Sequence, residues 1–187
     1  AAFAIAAVVA GAVGEAFSGG SLAELGIPDP GAATTVGLPA LRGVAWLLMA
    51  LATGSFLLSA FLIPPKQTQQ DLNGARLTVD GHLASRTGAH ASAGIALIGL
   101  AMIPLVLSDV SGQPLKTVLF EAAAWSQALD QVADARVWLI VAVFAAVVAA
   151  FGYAASSWWS QVWLFVGAIV VVMPIALTGH SATGGAH

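Results

Sequence analysis

The sequence predicts an all-α fold, a polytopic transmembrane helix bundle of about five spans, and three observations carry that prediction. Only 8% of residues are charged and 59% are hydrophobic, where an ordinary soluble domain is about one quarter charged. Mean hydropathy is +0.91, and a soluble surface that apolar would aggregate. The apolar residues also fall in long unbroken runs and do not alternate with polar ones, so helices rather than barrel strands must satisfy the backbone in lipid.

Five runs approach the span length of about 20 residues. The first covers Ala1 to Phe17. The second covers Leu38 to Ile63 and is stopped by Pro64-Pro65. The third covers Thr87 to Leu107, with Pro104 near its end. The fourth covers Ala135 to Ala155 and the fifth Trp158 to Thr178. Only Ser156-Ser157 and their neighbours join the last two, so these must form an antiparallel hairpin. Ala142, Ala146, Ala150 and Ala154 recur every four residues, a smooth ridge on which another helix can pack closely. Trp138, Trp158 and Trp159 stand where the membrane–water interfaces are expected.

Two longer loops hold apolar residues at near-helical spacing. Leu72, Ala75, Val79 and Leu83 lie in the stretch Lys66 to Arg86. Leu115, Val118, Leu119, Ala122, Leu129 and Val132 lie in the stretch Leu115 to Ala133. Both are expected to form short interfacial helices, although Gly74 and Gly81 weaken the first. Five spans put the loop Glu15–Gly37, the loop Ser108–Asp134 and the C-terminal tail on one side. The loop Lys66–Arg86 and the Ser156-Ser157 turn fall on the other. Lys66, Arg76 and Arg86 on one side balance Arg42, Lys116 and Arg136 on the other, so the positive-inside rule does not orient the bundle. The clustering of acidic residues beside the tail favours an external tail.

Composition excludes several function classes. The formal charge of -3 comes with no basic run, so nucleic acid is not an expected partner; the lipid bilayer is. There is no cysteine, hence no disulfide, thiolate metal site or cysteine nucleophile. No Walker loop, dinucleotide fingerprint, HExxH or nucleophile elbow is present, and no enzymatic activity is expected.

The histidines are the remaining chemistry. His82 and His90 flank the start of the third run, and His180 and His187 follow the fifth. The two pairs fall at opposite faces, about 30 Å apart across the hydrocarbon, so one haem cannot take a ligand from each. His180 and His187 are the candidate metal ligands: imidazole suits copper, zinc, iron and nickel, and the small residues between them let both rings reach one ion. Two ligands do not complete a site. His82 and His90 read as interfacial residues without a site. Arg42, placed a turn inside the second run, reads as a side chain that snorkels to the headgroups. The run Glu121 to Asp134 reads as a solvated face. Met49, Met102 and Met173 are dispersed over different runs and do not form a thioether cluster for Cu(I).

The stretches "PDPGAATTVGLPALRGVA", "FLIPP", "IPLVLSDVSGQPL" and "LTGHSATGGAH" resemble the N-terminal part of an actinobacterial membrane protein family. Its members fuse a copper resistance protein D (CopD) domain with a cytochrome c oxidase assembly factor (CtaG-like) domain. The resemblance covers essentially all of the chain. It implies that residues 1–187 are one membrane domain and part of a longer protein, which agrees with a start inside an apolar run without Met. It further implies copper as cargo, imported or delivered toward oxidase assembly at the cytoplasmic membrane, with His180 and His187 as copper ligands on the outer face. Two other readings stand beside it. One is a structural or assembly subunit of a larger respiratory membrane complex, packed through the alanine ridge. The other is a haem-binding membrane redox protein.

Overall fold

The computed structural model describes Val9 and residues 30–65 and 75–177. The expected first span and the C-terminal His180–His187 loop lie outside the described residues. Among the described residues there are six α-helices: α1 (Ala32–Leu57), α2 (Val79–Ser111), α3 (Leu115–Phe120), α4 (Ala122–Gln131), α5 (Ala133–Ala154) and α6 (Trp158–Leu177). A π-helical turn, Leu58–Leu62, continues α1. Four helices are long and apolar enough to cross a membrane: Ala32–Leu62, Val79–Ser111, Ala133–Ala154 and Trp158–Ala176. These correspond to the second to fifth runs.

Two boundaries differ from the sequence expectation, for the same reason. Hydropathy marks the hydrocarbon core, whereas a helix continues into the interface while its backbone is satisfied internally. α1 starts at Ala32 instead of Leu38, immediately after Gly31, whose φ of 89° belongs to the left-handed region. The Gly31 carbonyl accepts the Thr34 and Thr35 amides at 2.9 and 3.1 Å. Arg42 is therefore in the third turn and not the first. α2 starts at Val79, so the second half of the expected surface helix in the loop 66–86 is instead the beginning of the span. At 33 residues, α2 is about 50 Å long, well beyond the hydrocarbon thickness of about 30 Å. Its ends must stand in the headgroup region.

The expected surface segment after α2 is helical, but broken at Glu121 into α3 and α4. Val118 is buried while Phe120 is almost fully exposed, so α3 presents opposite faces inward and outward. The Trp125 indole N–H donates to the Val118 carbonyl at 3.2 Å, tying α4 back to α3. Pro64-Pro65 does end the second run: Ile63 is already extended, and its amide closes the π-turn on the Leu58 carbonyl.

The described residues divide into two compact units. One comprises the described residues up to Leu47 together with Ile98–Leu139, the other the described residues of 48–97 together with those from Ile140 onward. In the first, α1 and α2 run antiparallel, with Gly37 facing Leu105 and Thr34 facing Ser108. The Ser108 hydroxyl donates to the Gln113 carbonyl at 2.6 Å, so the Thr34 hydroxyl is the donor across the buried 2.7 Å contact to Ser108. That bond lets two polar side chains sit fully buried. Trp138 is also buried here and is a core residue rather than a lipid-facing belt residue.

In the second unit, Phe56 is fully buried against two glycines. A Cβ built on Gly88 would lie 2.8 Å from the Phe56 ring, and one on Gly152 would lie 2.9 Å from the Ala89 Cβ. The missing side chains let α1, α2 and α5 approach at this level. The hairpin of α5 and α6 forms as expected, and the chain before α2 pairs with its turn. The Leu77 amide donates to Ser156, and the Trp158 amide donates to Ala75. This places the Ser156-Ser157 turn beside the segment leading into α2, as the sequence reading required. The alanine ridge is only partly internal. Ala142 is buried, but Ala146, Ala150 and Ala154 are exposed; the buried stripe of α5 runs instead through Val141, Ala145, Val148 and Gly152.

Candidate functional site

His82, Arg86 and His90 stand four residues apart on α2, which puts them on one face. They lie inside the helix, not in a loop and a first turn as the sequence suggested. The Arg86 Nε–H donates to His82 Nε2 at 3.3 Å. An arginine cannot give up that proton, so the His82 ring must carry its own proton on Nδ1. His90 Nδ1 lies 2.7 Å from the Arg86 carbonyl oxygen. A carbonyl only accepts, so Nδ1 of His90 carries a proton, and in the neutral ring the lone pair is on Nε2. A backbone carbonyl on one ring nitrogen is the usual way to aim the other at a metal.

Tyr153, the only tyrosine of the chain, closes this cluster from α5. Its ring meets His90 edge-to-face at 5.2 Å, and the Arg86 guanidinium carbon sits 5.5 Å from its centroid, within cation–π range. His82, Arg86, His90 and Tyr153 therefore form one linked polar group. Nothing in the sequence reading joined Tyr153 to the histidines, since that contact depends on helix packing.

Three buried polar side chains, Ser59 in the π-turn, Ser85 and Gln161, lie in the same unit together with the half-buried Trp158. The Ser59 hydroxyl donates to the Gly81 carbonyl at 2.8 Å, and the Trp158 indole N–H donates to the Ala60 carbonyl at 2.7 Å. One turn further along their helices stand Ser85 and Gln161. The Ser85 hydroxyl and both side-chain amide atoms of Gln161 are buried without a hydrogen-bond partner among the described residues. π-turns recur at functional sites. Gln161 was visible in the sequence as a polar residue in an otherwise apolar run.

In the other unit, Arg42 is not a lone snorkelling side chain. Its Nη2 lies 3.1 Å from Asp134 Oδ2, and both side chains are about half exposed. Glu121 and Asp130 are exposed, as a solvated face requires. The three methionines stand on α1, α2 and α6, dispersed as expected.

Among the described residues, no three His, Asp or Glu side chains are grouped so as to hold a metal ion. His90 Nε2 is a single imidazole donor, which is not a site. His180 and His187 lie outside the described residues.

Long apolar helices, interfacial tryptophans and internally paired polar groups define a multi-pass helical membrane protein. The chain belongs to the family described as copper resistance protein D-like, N-terminal domain, whose model matches residues 32–187. This connects the protein to copper. No curated protein and no solved structure matches the chain.

Proposed function

We propose that this protein handles copper at the cell membrane without enzymatic turnover, importing the ion or delivering it toward oxidase assembly. Copper is cargo here, not a resident cofactor. His180 and His187 would take the ion at the outer face as neutral imidazoles, each offering a nitrogen lone pair, the ligand chemistry copper accepts. The single observation that carries this reading is the family match. It runs over residues 32–187 and so reaches through both histidines. Remaining ligands would come from the rest of the protein or from a partner of the oxidase-assembly machinery.

Transport separates this function from passive binding. Proteoliposomes holding the full chain, with copper outside and a Cu(I) chelator dye inside, are expected to load the dye. His180→Ala with His187→Ala should slow loading by about tenfold to a hundredfold, the cost of losing metal-site partners. Loading at the wild-type rate by that variant would remove the two histidines from the pathway.

A second reading has one supporting observation. Ala146, Ala150 and Ala154 are exposed on α5, leaving a smooth face on which a helix of another subunit could dock. In that case the protein would act as a structural or assembly subunit of a larger respiratory membrane complex. Leucine at 146 and 150 would then break its association while copper loading persists.

A further inference from the structure

We propose that the turn between α5 and α6 carries a site for one anionic phospholipid. Two hollows lie at this turn, lined by neighbouring residues of the chain. The first is an apolar groove of about 540 Å³ walled by Val147, Phe151, Trp163 and Gly167, with Ala154 and Ala155 at the turn end. From Ala155 to Val147 it follows α5 for about 12 Å, inward from the turn, as an acyl chain enters a bilayer. The second is a hollow of about 340 Å³ lined by Arg76, Thr78, His82, Leu83 and Ser156. Ala155 of the groove and Ser156 of the hollow are consecutive residues.

The second hollow offers donors. Arg76 is exposed, and the ion pair found among the described residues, Arg42–Asp134, does not involve it. The Thr78 hydroxyl oxygen accepts the Gly81 amide at 3.2 Å, which leaves its hydrogen free to donate. His82 holds its ring proton on Nδ1, as set by Arg86. Asp80 is the acidic residue in the first turn of α2, set against Arg76 and Arg86, so the local balance among the described residues is positive. An arginine and two neutral donors suit a phosphate oxygen, and a basic hollow at helix ends is where anionic headgroups bind. Trp158 and Trp159 follow the turn at once, at the depth tryptophan prefers in the interface. Free phosphate would fill the hollow but leave the groove unexplained; a phospholipid uses both.

The test is native mass spectrometry of the full chain released from mild detergent, with phosphatidylglycerol and phosphatidylcholine supplied at equal concentration. Both lipids carry the phosphodiester, but the choline cation of phosphatidylcholine offsets its charge beside Arg76, so phosphatidylglycerol should be retained roughly tenfold better, the scale of one charge-assisted contact. Arg76→Gln should abolish that preference, and Ala154→Leu, which narrows the groove from its exposed side, should lower retention of both lipids. Both positions are exposed, so the variants keep the fold, and unchanged thermal unfolding verifies it. Equal retention of the two lipids by the wild type overturns the proposal, as does a preference that survives Arg76→Gln. Retention untouched by Ala154→Leu removes the acyl seat. Displacement of phosphatidylglycerol by millimolar inorganic phosphate would make the hollow a free-anion site instead.

Discussion

Gly152→Leu is expected to destabilise the protein by about 3 kcal/mol or more, at and beyond the upper end of overpacking costs. A Cβ at Gly152 already lies 2.9 Å from the Ala89 Cβ and 3.4 Å from its Cα. Ala89 is fully buried and has no side-chain rotamer to give way, so α5 or α2 must move as a backbone. The Phe56 ring also comes within 3.4 Å, so the displacement spreads to α1. Gly54 provides the control. It is exposed, with nothing within 4 Å of a built Cβ, and alanine there should raise stability by about 0.5–1 kcal/mol through helix propensity. Thermal unfolding in detergent reads both. A Gly152→Leu protein that unfolds at the wild-type temperature would mean that the three helices do not meet at this level.

Gln161→Leu is expected to act in the opposite direction. The Gln161 side chain is fully buried, and its amide has no hydrogen-bond partner among the described residues. Burying an amide without a partner costs about 1–3 kcal/mol. Leucine nearly preserves the volume and removes the polar group, so the unfolding temperature should rise. A fall instead would mean that the amide is engaged, with internal water as its natural partner. The unpaired Ser85 hydroxyl, one turn from the Ser59–Gly81 bond, would then be the next residue to mutate. A stabilised variant with impaired copper loading would show that Gln161 is retained for function at the expense of stability.

How far this fold could be read in advance follows from what each signal measures. Apolar run length reports the hydrocarbon core, so the second to fifth runs correspond to helices that the structure contains, and Pro64-Pro65 stops the second because proline cannot continue the backbone ladder. The same signal is blind to helix beyond the core. It therefore missed the early turns of α2 that carry His82 and Arg86, and the opening turns of α1, which carry Thr34 to its buried bond with Ser108. A four-residue repeat of alanines reports smoothness and not direction, so the ridge on α5 was legible but its exposure was not. Glu121 interrupts the surface helix locally, which a count of apolar positions does not detect. The link from Tyr153 to His90 and the orphaned amide of Gln161 are products of packing between residues far apart in sequence. His180 and His187 stand out in the sequence by residue type and spacing; they lie outside the described residues, within the stretch matched to the copper resistance protein D-like domain.

The proposed capture of copper by His180 and His187 is read by competition of the purified full chain with a Cu(I) chelator, beside the His180→Ala/His187→Ala variant. The wild type is expected to withdraw Cu(I) from the chelator, and the variant, equally well folded by thermal unfolding, to bind about tenfold to a hundredfold more weakly. Equal affinity in the two proteins would contradict it and return both histidines to the status of solvated loop residues.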